Sequence, residues 1–356
     1  MSPVARAEAF CKAYGIRVPI LLAPMAGACP ASLSIAVANA GGLGSCGALL
    51  MQPEAIKKWA TEVRAGSNGG FSLNLWIPDP PARRDKEGED AVRAFLKAWE
   101  LEDEPGAADV VPPNFEEQCE AMLEAGPAII SSIMGVYPPE FVRRMKARGI
   151  KWFATASTVT EARLAAEAGA DVIVAQGMEA GGHRGAFEAK SAEAGMVGLM
   201  SLLPAVVDAV SVPVVATGGI ADARGVAAAL MLGASAVQVG TGFLRCPEAK
   251  LPQPWADAIG KSLPEDTMVT RAFSGRLGRS IATPYVVAAN ADDAPSPAPY
   301  PIQRALTQAM RNAAARTNDI SRMQAWAGQS GRLAMARPAA DVVNELWSGA
   351  LALLRG

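Results

Sequence analysis

From Val18 onward the chain repeats one pattern: an alanine-rich amphipathic stretch, a glycine, then a short apolar or β-branched run. The instances are NAGGLGSCGA (39–48), EAGPAIISSIMG (124–135), ARGIKWFATAS (147–157), EAGADVIVAQG (167–177) and LGASAVQVGT (232–241). The glycine reads as the left-handed residue that closes a helix, and the run after it as a buried parallel strand. PILLAPMAG (19–27), FSLNLWI (71–77) and VPVVATGG (212–219) bring the strands to eight. Most are separated by room for one amphipathic helix, such as PEAIKKWATEVRAG (53–66) or PEFVRRMKARG (139–149). Eight strands alternating with helices predict an α/β fold of the (β/α)8 TIM-barrel type. A doubly wound open sheet is the competing architecture, but no GxGxxG follows the first strand.

Two segments break the repeat. Residues 78–113 are polar, bounded by proline and long for a strand-to-helix loop; they predict one helix near 90–100 that covers part of the barrel mouth. The second runs from Phe243 to about Tyr300 and ends in the linker-like NADDAPSPAPYP. It is expected to be a small, mainly helical inserted domain (243–299) after strand eight, with 1–242 and 300–356 forming the barrel and its closing helices. Helices are expected over 301–315, 318–327 and 338–353, the last carrying DVVNELWSGALALL with apolar residues at helical spacing.

Composition narrows the partners. Hydrophobic residues make up 50% and charged residues 19%, which suits a globule with a sizeable core. The net charge is −2 with no basic block, which argues against nucleic acid or an anionic membrane as partner. The N-terminus lacks an apolar signal-peptide core, and Pro204, Asp208 and Pro213 interrupt the most apolar long stretch. Five scattered cysteines fit free thiols, so a cytoplasmic location is expected. With one histidine and no CxxC pair, a protein zinc site is not expected.

Candidate chemistry collects around Asp171–Phe187, DVIVAQGMEAGGHRGAF. His183 is the only histidine of 356 residues, placed among Gly181, Gly182 and Gly185 just past a strand end. An imidazole there can serve as acid, base or anion partner. Reacting groups of a barrel sit at the carboxyl ends of its strands. Pro24 and Met25 end strand one, Asn74 strand three, Gln176 strand six, Gly218 and Gly219 strand seven, and Gln238, Gly240 and Thr241 strand eight. Glycines after strands seven and eight point to a phosphate-bearing cofactor, with a helix beginning near Ala221–Asp222. The neutral amides Asn74, Gln176 and Gln238 suit the mixed donor and acceptor edge of a flavin, or else satisfy loop backbone. Glu179, four residues before His183, can orient the imidazole or stand as an exposed loop acid; Arg184 reads as a surface or phosphate-side charge. Trp76, Met25 and Met178 read as core or pocket lining.

APMAG (23–27), NLW (74–76), QGMEAGGHRG (176–185), TGGIADARGVAAALMLGASAVQVGT (217–241) and MQAWAGQ (323–329) together resemble the nitronate monooxygenases, FMN-dependent TIM barrels with a small inserted domain. The likeness runs from about Val18 to Leu333. It implies that His183 is the active-site histidine. It also implies that FMN meets Pro24, Met25, Asn74, Gln176 and the Gly181 backbone, with its phosphate on Gly218, Gly219 and the Gln238–Thr241 segment, Gly240 included. Ser274, in AFSGRLGR, falls where the family often has a Ser-Gly-Arg element. Leu22 departs from the glutamine many relatives carry before APM, which touches only a side-chain contact. The implied reaction is oxidation of an alkyl nitronate, propionate 3-nitronate above all, by FMN and O2 to a carbonyl compound plus nitrite or nitrate. The alternative is an NAD(P)H-dependent enoyl-acyl-carrier-protein or quinone reductase of the same superfamily. A phosphosugar isomerase or aldolase barrel would want a lysine or carboxylate at a strand end, and none is well placed.

Overall fold

The computed structural model describes residues 1–99 and 112–356. Eight of the predicted runs form parallel strands: β1 (Ile20–Leu22), β2 (Gly44–Gly47), β3 (Phe71–Trp76), β4 (Ile129–Ile133), β5 (Lys151–Ala156), β6 (Val172–Gln176), β8 (Val214–Thr217) and β9 (Ala236–Val239). A two-residue strand, β7 (Gly182–His183), lies between β6 and β8 in the chain, and β10 (Thr267–Thr270) and β11 (Gly278–Ile281) follow β9. The barrel sheet runs β1-β9-β8-β6-β5-β4-β3-β2. It closes through Leu22 N–H donating to Leu43 O at 2.9 Å and Leu43 N–H donating to Ile20 O at 3.1 Å. The chain is a (β/α)8 barrel.

Strand periodicity divides the core in two. Leu21, Ile129, Phe153, Val172, Val174, Val215 and Ala236 form an inner cluster. Their neighbours Ile20, Leu22, Ile130, Trp152, Ile173, Val214 and Val237 face the outer helices. The two-residue alternation puts successive side chains on opposite faces, and both faces are dry. The first helix, Pro3–Tyr14, joins the inner cluster through Phe10 and Cys11. Phe10 and Tyr14 meet Phe153 at ring separations of 6.2 and 5.0 Å. This plug lies outside the repeat that begins at Val18. Outer helices start and stop by local rules: Thr158 and Glu161 form a capping box on helix Val159–Glu167, and Gly126 closes helix Phe115–Ala125 at φ 56°. All five cysteines are free and buried. Among the described residues no helix is long and apolar enough to cross a membrane.

The segments outside the repeat build one side of the barrel mouth. In the 78–113 stretch a helix forms over Lys86–Lys97, capped by Asp85; the rest of that expectation, 100–111, lies outside the described residues. Val92 and Leu96 of this helix share a cluster with Phe273, Tyr285, Val286, Ile302, Leu306 and Met310, so that cluster spans the expected boundary at 299–300. Segment 243–299 holds helices Gln253–Lys261 and Pro284–Ala289 and, beyond the helical expectation, the antiparallel pair β10–β11. β11 also pairs with β7, aligning Gly278 with His183. Helices Ile302–Leu306, Gln308–Thr317 and Ala339–Arg355 follow. The helix expected over 318–327 does not form. Asn318 at φ 54° ends the preceding helix, Asp319 turns the chain by accepting from Ser321 N–H, and Trp326 instead bridges to Ser280 as an extended residue.

Candidate active site

A cavity of about 390 Å³ opens at the carboxyl ends of the strands. It is lined by all twelve residues singled out from sequence: Pro24, Met25, Asn74, Gln176, Gly181, His183, Gly218, Gly219, Gln238, Gly240, Thr241 and Ser274. It also takes in residues that no strand end announced, chiefly Tyr300, Arg304, Arg311 and Trp326. Arg304 and Arg311 stand seven residues apart, the spacing that returns to one helical face. That spacing was the available signal.

The loop carrying His183 is fixed from both sides. The amide of Gln176 donates from Nε2 to His183 O at 3.1 Å and accepts from Gly185 N–H at 2.7 Å. Gln176 therefore holds the loop with most of its hydrogen-bonding capacity. Arg184 is not a surface charge: it is 1% exposed and donates to Gly177 O at 2.7 Å and Gln176 O at 3.0 Å. Burial, with Arg279 nearby, pushes its pKa down to about 10. Glu179 does not orient the imidazole. Its carboxylate accepts Leu199 N–H at 2.9 and 3.1 Å and so caps helix Leu199–Ala209.

His183 stands between two indoles, with ring centroids 4.6 Å from Trp76 and 4.8 Å from Trp326. Its Nε2 lies 2.7 Å from Ser274 Oγ. Ser274 Oγ in turn accepts from Arg276 N–H at 3.3 Å and lies 3.2 Å from Arg276 O, so its single proton goes either to that carbonyl or to the nearer His183 Nε2. Arg276 is 2% exposed; it donates to Ala186 O at 2.9 Å and from Nε to Asp79 Oδ2 at 2.8 Å, with a second contact between its Nη2 and Asp79 Oδ1. Burial lowers the His183 pKa to about 3, assisted by the charges of Arg304, Arg276 and Arg311. The imidazole is thus neutral at pH 7. The sequence alone could not show this, because the arginines come from 93 to 128 positions further along the chain (276 − 183 for Arg276, 311 − 183 for Arg311).

The opposite wall is backbone and amide. Gly218 and Gly219 sit at φ 105° and 72°, and a Cβ on Gly218 would meet Gly177 O at 3.0 Å. Such a turn presents its peptide groups without side-chain cover. Asp222 caps the following helix through Gly225 N–H, so an anion here would meet the Gly218–Gly219 and Gly240–Thr241 backbone more than that helix end. Thr241 Oγ1 accepts Gly328 N–H at 2.9 Å, tying the late MQAWAGQ segment to β9. The side-chain amide of Gln238 lines the cavity and makes no hydrogen bond among the described residues; Asn74 donates to Ser131 Oγ at 2.9 Å and keeps its carbonyl oxygen free. An uncovered peptide turn with unspent amides beside it fits a flavin, phosphate at the glycines and ring edge at the amides.

The nitronate monooxygenase family model matches residues 8–349. The chain belongs to the nitronate monooxygenase family. A probable nitronate monooxygenase of Staphylococcus aureus is 36% identical over 334 residues, covering 93% of this chain and 94% of the relative. Among solved structures, the nitroalkane oxidase from Streptomyces ansochromogenes is 34% identical, with a TM-score of 0.89 and coverage of 98% and 99%. FabK from Thermotoga maritima superposes with a TM-score of 0.75 at 26% identity, covering 98% of this chain and 97% of its own. Membership makes the protein an oxidoreductase acting on a small nitronate or nitroalkane, in a family that is flavin-dependent.

Proposed function

We propose that this enzyme uses FMN and O2 to oxidise alkyl nitronates, propionate 3-nitronate among them, to a carbonyl compound plus nitrite or nitrate. The observation that carries the reading is His183: a neutral imidazole held between Trp76 and Trp326 over a cavity whose other wall is the glycine turn. Bound flavin would supply the electron exchange between nitronate and O2. Gly218, Gly219 and the Gln238–Thr241 segment would hold its phosphate side, and Asn74 and Gln238 its ring edge.

A nitronate is already a carbanion equivalent, so the site needs no strong base to start the reaction. A side chain with a pKa of about 3 is a weak base but still a hydrogen-bond partner. In this reading the Ser274 hydroxyl donates to His183 Nε2, which puts the single ring proton on Nδ1, and that N–H holds a nitro oxygen. The indoles keep water from the reacting carbon. The reaction would take place in a cytoplasmic, membrane-free setting.

The test is a visible spectrum of the purified protein, then oxygen uptake on adding propionate 3-nitronate without NAD(P)H. A flavin spectrum with rapid uptake is the expected result. Bleaching by NADH or NADPH without nitronate-driven uptake would move the enzyme to the reductase reading that FabK represents. Absence of a flavin signal after reconstitution with FMN would overturn the cofactor assignment.

A further inference from the structure

Gln176 and Arg184 tie the histidine loop to its own strand β6, while β11 and Arg276 tie it to the inserted segment. A further anchor joins it to the neighbouring β5 unit. Glu161, in the first turn of helix Val159–Glu167, is 9% exposed and uses both carboxylate oxygens. Oε2 accepts Ser157 N–H and the Ser157 hydroxyl at 2.8 Å each and Thr158 N–H at 3.1 Å, gathering the turn after β5. Oε1 reaches away from that turn and accepts Phe187 N–H at 2.8 Å, at the exit of the loop. The capping box itself needs only the first oxygen. The loop lies tight on β5 here: a Cβ on Gly185 would meet Thr155 Cγ2 at 3.2 Å and Gln176 Oε1 at 3.3 Å, and Thr155 lines the cavity. Glu161 also acts on Arg184, the neighbour of the histidine. Burial and Arg279 push that guanidinium's pKa down, and the charges of Glu179 and Glu161 oppose the shift.

We propose that Glu161 is a positioning residue for His183: by holding the turn after β5 and the loop exit on one carboxylate, it fixes the seat of the loop and so the place of the imidazole in the cavity. Among the described residues Glu161 does not line the cavity, and it acts through Phe187, Ala186 and Gly185. Two N–H groups and a hydroxyl converge on Oε2, which calls for an acceptor-only carboxylate, and the reach of that carboxylate decides whether Phe187 is held as well. The inference takes from the proposed function only that His183 meets the reacting group; the hold on the ring belongs to the fold.

Two variants separate the two oxygens. Glu161→Asp keeps a carboxylate in the first turn but is one methylene shorter, so it stays with the local donors of Ser157 and Thr158 and lets Phe187 go. Thr158→Ala removes the hydroxyl that accepts Glu161 N–H at 3.2 Å and leaves the Phe187 bond in place. Oxygen uptake with propyl 1-nitronate, normalised to bound flavin, gives kcat, and circular dichroism gives the melting temperature. His183 is the only histidine, so 15N-histidine labelling yields one imidazole whose nitrogen shifts report its tautomer and protonation. Glu161→Asp should keep the melting temperature within about 2 °C of wild type and lower kcat about tenfold. Its imidazole signal should shift and begin to take up a proton between about pH 7 and 5, where wild type takes up none. Thr158→Ala should do the reverse: melting lower by about 1–2 °C, wild-type kcat and an unmoved signal. Wild-type kcat in Glu161→Asp, or an imidazole signal and titration that superimpose on wild type, would overturn the positioning role. So would an equal kcat loss in Thr158→Ala. If wild type oxidises no nitronate, the functional reading fails, and the imidazole signal still decides: a shift in Glu161→Asp sustains the hold on His183, and none removes it.

Discussion

Consider the link between Asp79, in the loop after β3, and Arg276, whose backbone brackets the hydroxyl of Ser274. The Arg276 side chain is 3% exposed and that of Asp79 25%, so Asp79→Leu strands a buried cation that keeps one neutral acceptor, Ala186 O. Breaking a buried pair from one side costs about 3–5 kcal/mol; Asp79 is partly wet, which puts the cost near the lower end, about 3 kcal/mol. With an unfolding entropy of about 2.1 cal/mol/K per residue, that is a fall in melting temperature of about 4 °C for a chain of 356 residues. Asp79→Leu/Arg276→Met removes both charges, and apolar replacement of an ion pair is often neutral, so the double variant should regain at least half of the loss. Activity should not follow stability. Once the guanidinium no longer pins the 274–276 turn, the Ser274 hydroxyl loses its fixed place at His183 Nε2. Misplacement on the scale of 1 Å costs up to about a hundredfold, so kcat should fall at least about tenfold in both variants. Thermal unfolding by circular dichroism and steady-state oxygen uptake make the comparison. A double variant with wild-type kcat would show that the pair only braces the fold. An Asp79→Leu protein melting with wild type would refute the energetic argument itself.

Three further outcomes follow from the same geometry. His183 is held at about 3 against an ordinary 6.5, so between those values the unfolded chain binds a proton that the native chain refuses. Native stability therefore falls as the pH drops from about 6.5 toward 3, and His183→Asn should flatten that part of the melting-temperature profile; parallel profiles for the two proteins would contradict it. A Cβ on Gly181 would lie 2.5 Å from Gly328 N and 2.6 Å from Ala327 C, both backbone atoms. Gly181→Ala should thus cost about 1–3 kcal/mol and reduce the flavin content of the purified protein; wild-type melting and flavin content would show that the two segments separate freely. A histidine this weakly basic abstracts a proton poorly, and an effective general base contributes about a hundredfold or more. Pre-ionised propyl 1-nitronate should accordingly turn over roughly a hundredfold faster at pH 7 than 1-nitropropane. Comparable rates in an oxygen electrode would assign His183 the base role after all.

The barrel was legible because its signal is repeated and local. Five of the eight strand runs follow a left-handed glycine that closes the preceding helical stretch, and Asn74, Gln176, Gln238 and the Gly218–Gly219 turn sit where a strand end must put them. What stayed hidden depends on contacts between distant segments. The plug helix Pro3–Tyr14 is an ordinary amphipathic helix until Phe10 is seen against Phe153. β7 is two residues long, too short for a period of two, and exists because β11 comes back to pair with it. In 318–327 apolar Met323 and Trp326 imitate helical spacing, but Asn318 and the Asp319 turn win locally. Arg184 has the composition of a surface residue and becomes a core one because its guanidinium reaches the buried carbonyls of Gly177 and Gln176.

The division of labour at the mouth follows from this split. In the proposed function the strand ends serve the flavin: peptide groups at Gly218, Gly219 and Gly240, and amides at Asn74 and Gln238, are neutral and do not by themselves choose a substrate. The features that would choose one all come from outside the barrel repeat. Ser274 fixes the imidazole, Asp79 and Arg276 fix Ser274, Trp326 walls the ring, and Arg304 and Arg311 bring positive charge. A neutral histidine among three arginines is a coherent arrangement for a substrate that arrives already ionised. Burial, assisted by the charge of the arginines, keeps the imidazole neutral, so in the proposed function its single N–H would hydrogen-bond a nitro oxygen without committing a proton to the carbanion. Change of substrate on this scaffold should therefore be sought in residues 274–326 before the strand ends, since the second group alters the cofactor and the first only what the cofactor meets.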